Sequence, residues 1–338
     1  MSNELAVMIG IDGGATNSFG VAVDTGGRVL AKAQSGSLNF FGSSLADSRR
    51  ALNELVKSLE LQLPLGSQFA SIVIGSAALF AEATVDQKRG LCQGILPIER
   101  TRLVSDCMTA YSGVCLGRPG VLIISGTGSI VLAKSEAGQF FQIGGWGHIL
   151  GDAGSAYWIA VEAIKAAIAA METLGPDTSL VSGICRWFEV KELSEIVPSI
   201  YRPNYSKEKL AALARYLAEQ TGDEDPVFQN ICRRAGKELA AQTLAAVRGA
   251  GLKLNPLPVY LNGGVLKYNA VARESLIAAL QEQMPIKIEP PQSLPLLGAA
   301  ALALSEAGIP LNDSLVKALQ TSYQEFQSGK TGSSTKEM

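Results

Sequence analysis

Residues 5–23 read Leu-Ala-Val-Met-Ile-Gly-Ile-Asp-Gly-Gly-Ala-Thr-Asn-Ser-Phe-Gly-Val-Ala-Val, and this stretch decides the fold. Two apolar runs flank Asp12-Gly13-Gly14, which predicts a strand, a glycine turn and a returning strand. Glycine lets backbone N–H groups approach an anion closely. Asp12 offers a carboxylate for a hydrated Mg²⁺, and Thr16 a hydroxyl for phosphate oxygens. An ordinary hairpin with a glycine turn is the alternative that these residues alone leave open.

The same design returns twice along the chain. Val121–Ser125 is an apolar run that leads into Gly126-Thr127-Gly128-Ser129, and a second run, Ile130–Lys134, follows it. The apolar run Leu257–Asn262 ends in Gly263-Gly264. Because the pattern restarts just after the linker Gly117–Gly120, it predicts an internal duplication of one fold.

Between these turns, strand and helix patterns alternate. Arg28–Ser35 completes a meander of three strands, and Leu45–Leu59 has helical spacing. Phe69–Gly75 and Arg102–Val104 are strand-like, and the second of these leads into a helix that opens at Asp106. The pattern predicts an α/β fold with mixed sheets and crossover helices. The polar residues 328–338 are expected to be a disordered tail.

Composition narrows the class of protein. The chain has 338 residues, of which 47% are hydrophobic, which is enough for two domains with sizeable cores. Its net charge is −2 and no basic run occurs, so nucleic acid and membranes are not expected partners. Five cysteines without a Cys-x-x-Cys pair suggest free thiols in a reducing cytoplasm. The single histidine, His148, excludes a multi-histidine metal site.

The order of the three glycine turns, with Asp106 between the first two and the small residues Gly298–Ala301 after the third, resembles the actin-like ATPase and sugar-kinase superfamily. The resemblance implies two ribonuclease-H-like domains around a nucleotide and sugar cleft, at 1–118 and 119–310, with a helix at about 311–327 packing back on the first. It also implies ATP and Mg²⁺ as cofactors. The implied phosphate contacts are Gly13, Gly14, Thr16, Asn17, Gly126 and Thr127, and Gly263 and Gly264 would border the adenosine.

A longer stretch, Gly-Gly-Trp-Gly-His-Ile-Leu-Gly-Asp-Ala-Gly-Ser-Ala-Tyr-Trp-Ile at residues 144–159, is similar to the sugar-binding loop of the N-acetylglucosamine and glucosamine kinases. These belong to the BadF/BadG/BcrA/BcrD-type ATPase family. The resemblance implies a homodimeric enzyme that phosphorylates the 6-hydroxyl of an amino sugar with ATP. N-acetylglucosamine, glucosamine and N-acetylmuramic acid all remain open as substrates.

The resemblance also assigns roles. Asp106 would be the general base, and the implied sugar contacts are Asn39, Asp106, Ser129, Gly145, Trp146, Gly147 and Asp152. Four of these residues have a simpler explanation. Asp106 and Asp152 could be N-caps of the helices that follow them, Asn39 a turn residue, and Trp146 part of a core.

Two other functions stay open. The same family contains activator ATPases that share an Fe–S cluster between subunits, and Cys107 and Cys115 lie on the helix that Asp106 opens. That cysteine spacing does not itself indicate a cluster. A non-catalytic actin-like protein that binds nucleotide is the other alternative, and the compact sugar loop and the lack of long insertions argue against it. The retention of Asp12, Asp106 and Asp152 argues against a kinase that has lost its activity.

Overall fold

The computed structural model describes residues 5–14, 16–40, 42, 44–79, 82–202, 205–221 and 224–328. The chain divides into two compact units, Met1–Arg118 with Pro291–Met338 (unit 1) and Pro119–Pro290 (unit 2). The tail expected to be disordered lies outside the described residues except for Ser328. Among the helices in the described part of the chain, none is both long and apolar enough to cross a bilayer.

Unit 1 is built on one mixed sheet. Its strands are β1 (Ala6–Gly13), β2 (Ser18–Val23), β3 (Val29–Ser35), β4 (Gln68–Ser76) and β5 (Thr101–Ser105). Its helices are α1 (Leu45–Glu60), α2 (Val85–Cys92), α3 (Asp106–Cys115), α11 (Pro295–Glu306) and α12 (Asp313–Gln327), with a 3₁₀ turn at Ile98–Arg100. In the described residues the strand order is β3-β2-β1-β4-β5, with β1–β2 and β2–β3 antiparallel and β1–β4 and β4–β5 parallel.

The apolar run of β1 is buried on both faces of this sheet. Val7 and Ile9 belong to a core cluster with Leu55 of α1, whereas Met8 belongs to a second cluster with Leu297 of α11 and Tyr323 of α12. Successive side chains of a strand point to opposite faces, so a strand covered on both sides is apolar throughout. This explains why the sequence shows a continuous apolar run here without alternation.

Unit 2 repeats the arrangement with a larger set of helices. Its strands are β6 (Gly120–Ser125), β7 (Ser129–Lys134), β8 (Phe140–Gly144), β9 (Leu257–Asn262) and β10 (Ile286–Glu289). Its helices are α4 (Ala156–Met171), α5 (Leu180–Phe188), α6 (Val197–Ile200), α7 (Lys207–Thr221), α8 (Pro226–Ala250), α9 (Gly264–Tyr268) and α10 (Ala270–Gln281), with a 3₁₀ turn at Leu193–Ile196.

The two sheets share one topology. Within the described residues the second sheet has the order β8-β7-β6-β9-β10, which corresponds strand by strand to β3-β2-β1-β4-β5 of the first. The pairings also match, since β6–β7 and β7–β8 are antiparallel and β6–β9 and β9–β10 are parallel. The mixed α/β fold predicted from the glycine turns and apolar runs is confirmed, and its duplication extends to the strand order.

Two features of the fold differ from what the sequence pattern predicts. Strand β8 was not predicted, because its five residues are only half-buried and run directly into the glycine-rich loop that follows. The chain returns to unit 1 at Pro291, earlier than the expected position near residue 311, because α11 packs against β1 and α3. Helix α12 packs with β3 in the same unit.

A buried carboxylate joins two helices of unit 2. Asp225 Oδ1 accepts hydrogen bonds from the backbone N–H groups of Val227 and Phe228 at 2.9 and 3.0 Å and so caps α8. Asp225 Oδ2 accepts from Thr178 Oγ1, Ser179 N and Ser179 Oγ, each at 2.7 Å, at the start of α5. Burial acts to raise the pKa of Asp225, but the hydrogen bonds from Ser179, Thr178 and Phe228 outweigh it and the pKa is lowered.

We expect Asp225→Ala to lower the free energy of unfolding at pH 7 by about 3 kcal/mol or more, because several buried donors lose their acceptor at once. A carboxyl with a lowered pKa in the folded state stabilises the fold above its unfolded pKa, and that contribution is lost as pH falls through the folded pKa. The deficit of the variant should therefore shrink in acid. Urea unfolding at pH 7 and in acid measures both values.

The matched control is Ser44→Ala, which removes an exposed cap whose Oγ accepts from Asp47 N. This loss should cost about 1 kcal/mol. Equal losses in the two variants would contradict a central role for Asp225.

Candidate active site

The first glycine turn connects β1 to β2. Gly14 N donates to Asn17 O at 3.1 Å and closes the turn, which leaves Thr16 and Asn17 exposed at its tip. Ser37 Oγ donates to Gly14 O at 3.3 Å, so the loop after β3 is held against this turn. Exposed backbone and hydroxyl groups at a strand-to-strand turn are suited to contact with an anion.

Asn39, the predicted sugar contact in that loop, has a structural role here. Its Oδ1 accepts from Gly42 N at 3.1 Å, and its own N–H donates to Ser37 Oγ at 3.0 Å. The explanation of Asn39 as a turn residue is therefore correct for this structure. A sugar contact by Asn39 stays a prediction.

Two carboxyl groups of unit 1, those of Asp12 and Asp106, interact through charge. Asp12 lies near the end of β1, and Asp106 is the first residue of α3, directly after β5. Burial, together with the charge of Asp106, raises the pKa of Asp12 to about 6. The pKa of Asp106 is also raised, chiefly by burial, against hydrogen bonds from the thiol and backbone N–H of Cys107.

Asp106 is not the cap of its helix. The N-cap of α3 is Ser105, whose side chain makes no capping hydrogen bond. The simpler explanation of Asp106 as an N-cap is thus wrong by one position. Its carboxylate is half-buried beside Asp12, an arrangement that costs stability and is common at functional sites.

The second glycine turn joins β6 to β7 in unit 2. Gly126 N donates to Gly128 O at 2.9 Å, and Thr127 is half-buried. The third turn, Gly263-Gly264, begins α9, and Asn262 Oδ1 accepts from Gly263 N at 2.8 Å. The predicted nucleotide contacts of unit 2 therefore all lie just after the ends of β6 and β9, which are neighbouring parallel strands.

A pocket of about 590 Å³ opens between these two turns and α7. Its lining residues are Gly126, Thr127, Ala156, Ile159, Glu208, Ala211, Ala212, Ala214, Arg215, Ala218, Glu219, Gly264, Val265, Tyr268 and Asn269. Most of this lining is apolar, with charged side chains from α7. A mostly apolar pocket with a few polar groups is typical of a small-molecule site.

The α7 wall of the pocket was not predicted from the sequence. Arg215 Cζ lies 5.3 Å from the centre of the Tyr268 ring, and Arg215 Nε donates to Glu219 Oε1 at 2.8 Å. The available signal was the small residues Ala211, Ala214 and Ala218, which repeat at helical spacing. Such a stripe normally predicts a close helix contact, so it did not by itself indicate a ligand wall.

The glycine-rich loop after β8 presents its large side chains to solvent. Trp146 is 63% exposed, so the explanation of Trp146 as a core residue is wrong. Gly145 and Gly147 flank it with φ of 76° and 80°. The ring of His148 contacts Tyr157 of α4 edge-on, with centroids 4.9 Å apart. The loop is thus held at its base while the Trp146 side chain faces outward.

Asp152 lies in the opposite environment. It is buried, and its Oδ1 accepts from Ser129 N at 3.2 Å. The N-cap of α4 is Ser155, whose Oγ accepts from Trp158 N, so Asp152 does not cap that helix. The predicted sugar contacts Ser129, Gly145, Trp146, Gly147 and Asp152 all belong to unit 2, whereas Asn39 and Asp106 belong to unit 1.

The described residues form two five-stranded mixed sheets of the same topology, each with a glycine turn after its first strand. This arrangement defines the class of actin-like ATPase folds. The chain belongs to the BadF/BadG/BcrA/BcrD ATPase family, whose model matches residues 9–303.

The chain is similar to several proteins that are named as amino-sugar kinases. The chain is 30% identical over 264 residues to an N-acetylmuramic acid/N-acetylglucosamine kinase of Clostridium acetobutylicum, an alignment that covers 77% of this chain and 85% of the relative. It is 28% identical over 318 residues to an N-acetyl-D-glucosamine kinase of Dictyostelium discoideum, covering 90% and 99%. A solved structure from Chromobacterium violaceum, provisionally named an N-acetylglucosamine kinase, superposes with a TM-score of 0.66 at 22% identity, covering 89% of this chain and 99% of that one. These relatives support an amino-sugar kinase.

The raised pKa of Asp12 gives a stability prediction. Because the folded pKa of about 6 exceeds the ordinary value, the folded state binds the proton more tightly, and ionised Asp12 opposes folding above pH 6. We expect Asp12→Asn to raise the free energy of unfolding at pH 7.5 by up to about 3 kcal/mol. The gain should shrink as pH falls from 6 toward 4, because the parent carboxyl becomes protonated.

Urea unfolding in metal-free buffer at pH 4.5 and 7.5 measures the effect. The exposed Asp177→Asn is the matched control and should change stability little at either pH. If the Asp12→Asn protein is no more stable than the parent at pH 7.5, ionised Asp12 does not destabilise the folded state.

Proposed function

We propose that this protein is an ATP-dependent kinase that transfers a phosphoryl group to the 6-hydroxyl of an amino sugar, N-acetylglucosamine or glucosamine. The observation that carries the proposal is that relatives named as N-acetylated-sugar kinases align with 77% and 90% of this chain. The family membership supports the use of ATP.

The pocket of unit 2 is the proposed nucleoside site. Its volume of about 590 Å³ and its mostly apolar lining suit a purine nucleoside. Gly126 and Thr127 at one edge of the pocket would meet the phosphates, and Gly263 and Gly264 would border the adenosine. In unit 1, Gly13, Gly14, Thr16 and Asn17 form a turn that is also proposed to hold phosphates.

The residues of unit 1 fit a divalent cation. Asp12 and Asp106 each have a raised pKa, and the charge of Asp106 contributes to that of Asp12. The described residues contain no group of three acidic, cysteine or histidine side chains that could enclose a metal. Asp12 would therefore hold Mg²⁺ largely through water, as Mg²⁺ prefers. When bound, Mg²⁺ neutralises phosphate charge.

Asp106 is the proposed general base. Phosphoryl transfer requires a group to accept the proton of the attacking hydroxyl, and a carboxylate whose pKa is raised toward neutrality is a better acceptor than an ordinary one. Its position at the start of α3, directly after β5, fixes it on rigid elements. Asp106 would hold the 6-hydroxyl by a hydrogen bond and take its proton as the phosphoryl group transfers.

The structure weighs against the activator alternative. An Fe–S cluster shared between subunits needs thiolates that reach the surface. Cys115 is fully buried, and burial together with Asp106 raises the pKa of Cys107 well above its usual range. A purified protein without visible absorption would remove this alternative.

The decisive assay measures ADP release with Mg²⁺ and ATP against a panel of N-acetylglucosamine, glucosamine and N-acetylmuramic acid, with glucose for comparison. We expect amino-sugar-dependent turnover that exceeds turnover with glucose. ADP release that no sugar stimulates would refute the kinase and favour a non-catalytic nucleotide-binding protein.

Gly264→Val should prevent nucleotide binding without unfolding the protein. A Cβ at Gly264 meets no atom within 4 Å, yet Gly264 lines the pocket, so the added side chain enters space that a nucleoside needs. We expect ADP affinity to fall at least about tenfold, which corresponds to 1.4 kcal/mol. Isothermal calorimetry measures the affinity, and thermal unfolding verifies the fold.

The contrasting variant is Gly263→Val. Gly263 has φ of 96°, and a Cβ there would overlap Ser125 O, so this variant should fail to fold normally. Parent-like ADP affinity in folded Gly264→Val would place the nucleotide elsewhere.

Asp106→Asn should reduce turnover at saturating sugar by roughly two to four orders of magnitude, the usual range for a positioned acid–base group. Sugar affinity should change less, since the amide oxygen still accepts a hydrogen bond from the 6-hydroxyl. The matched control is Asp86→Asn, which also removes an acidic side chain from the first turn of a helix in unit 1. Near-parent turnover in Asp106→Asn would show that the base is another residue.

A further inference from the structure

The second glycine turn is hydrogen-bonded along most of its length to the loop that follows β8 and to the start of α4. The bonds are Ser125 Oγ to Gly154 O at 2.8 Å, Ala156 N to Gly126 O at 2.8 Å, Tyr157 N to Thr127 O at 3.4 Å, Gly145 N to Ser129 O at 3.1 Å, Ser129 Oγ to Ala153 O at 2.8 Å and Ser129 N to Asp152 Oδ1 at 3.2 Å. We call this set the turn–loop latch. Through it, every residue of the turn except Gly128 is hydrogen-bonded to the loop or to the start of α4.

Asp152 contacts Gly128, the remaining residue of the turn. Its Oδ2 lies 2.8 Å from the place where a Cβ of Gly128 would stand, so the carboxylate packs directly on that glycine. Asp152 is only 5% exposed and has a φ of 60°, a conformation that Asp and Asn tolerate better than other residues except glycine. A buried charged side chain in a rare backbone conformation indicates that the fold requires its contact with the turn.

The loop is also held from its other side. Gln242 of α8 donates from Nε2 to Ala153 O at 3.0 Å, and its Oε1 lies 2.8 Å from the place where a Cβ of Gly144 would stand. The segment 152–154 is thus fixed between the turn and α8. Movement of the turn must displace the loop, because buried hydrogen-bonding groups are costly to leave unpaired.

We propose that the turn–loop latch makes the phosphate turn and the sugar loop one cooperative unit, in which Asp152 is a positioning residue that holds Gly128 and Ser129. The proposal rests on the proposed function, in which the turn takes nucleotide phosphates and the loop takes the sugar. A ligand that orders either segment then orders the other, so each ligand raises the affinity for the second by the same factor.

Hydrogen exchange tests the latch without any sugar. Mg²⁺ and ADP should slow amide exchange in residues 144–154 of the parent, although the proposed nucleotide contacts lie on the turns. Ser125→Ala removes the hydroxyl that binds Gly154 O, and Asp152→Asn weakens the bond to Ser129 N while keeping the backbone conformation accessible. In both variants the slowing of exchange in the loop should be reduced or lost at saturating ADP.

The matched control is Thr243→Val, which removes a buried hydroxyl of unit 2 that donates to Leu239 O of its own helix at 2.8 Å. It should retain parent-like protection of the loop. An unchanged exchange rate in the parent loop on saturation with ADP, or parent-like protection in Ser125→Ala, would overturn the latch.

Calorimetry adds the reciprocal measurement. ADP affinity is measured with and without saturating N-acetylglucosamine, and we expect about a tenfold increase in the parent and Thr243→Val, within the usual range for coupled sites. In Ser125→Ala the ADP affinity should be nearly the same with and without N-acetylglucosamine. If the parent binds no amino sugar, the kinase proposal fails while the exchange experiment still decides the latch. If the parent binds both ligands independently, the kinase proposal stands and the coupling is refuted.

Discussion

The contact between α3 and α11 is the constraint on which unit 1 depends. A Cβ at Gly298 of α11 would overlap both Thr109 O and Gly113 N of α3, so the two helices touch backbone to backbone. Helix α11 also packs on β1, the strand that carries Asp12. Because α3 begins at Asp106, this close approach fixes where one carboxyl group stands relative to the other. Any side chain larger than hydrogen at Gly298 would push α3 away from α11 and disturb the candidate site.

The electrostatics of Asp225 and Asp12 differ in sign. Asp225 receives hydrogen bonds at both oxygens, and its pKa is lowered. Asp12 has the opposite shift, because burial and the charge of Asp106 dominate. A strained carboxyl pair retained in a folded protein is best explained by a ligand that supplies positive charge.

Much of the fold could be predicted because local patterns and burial agree. The apolar runs of β1 and β4 are local signals of a covered parallel sheet, and the glycine turn after β1 is a local signal of a tight connection. Strand β8 was missed because a half-buried strand next to glycines carries little periodicity. The N-caps are Ser105 and Ser155, whereas the sequence left Asp106 and Asp152 open as caps, since Ser and Asp near a helix start have similar capping propensity. The identity of the true cap depends on backbone geometry that the sequence does not contain.

The candidate site was less predictable because its specificity comes from non-local contacts. The duplicated sheets give both units a glycine turn at the same place in the topology, yet the two turns differ in what holds them. In unit 1 the turn is closed by its own Gly14 N to Asn17 O bond and has an exposed tip, whereas in unit 2 the carbonyl groups of Gly126 and Thr127 are bound by the start of α4. The corresponding turns thus differ, because Thr16 and Asn17 are exposed in unit 1, whereas the turn of unit 2 is hydrogen-bonded to the start of α4. That difference lies in the 23-residue separation of Ser129 and Asp152, which no local motif reveals.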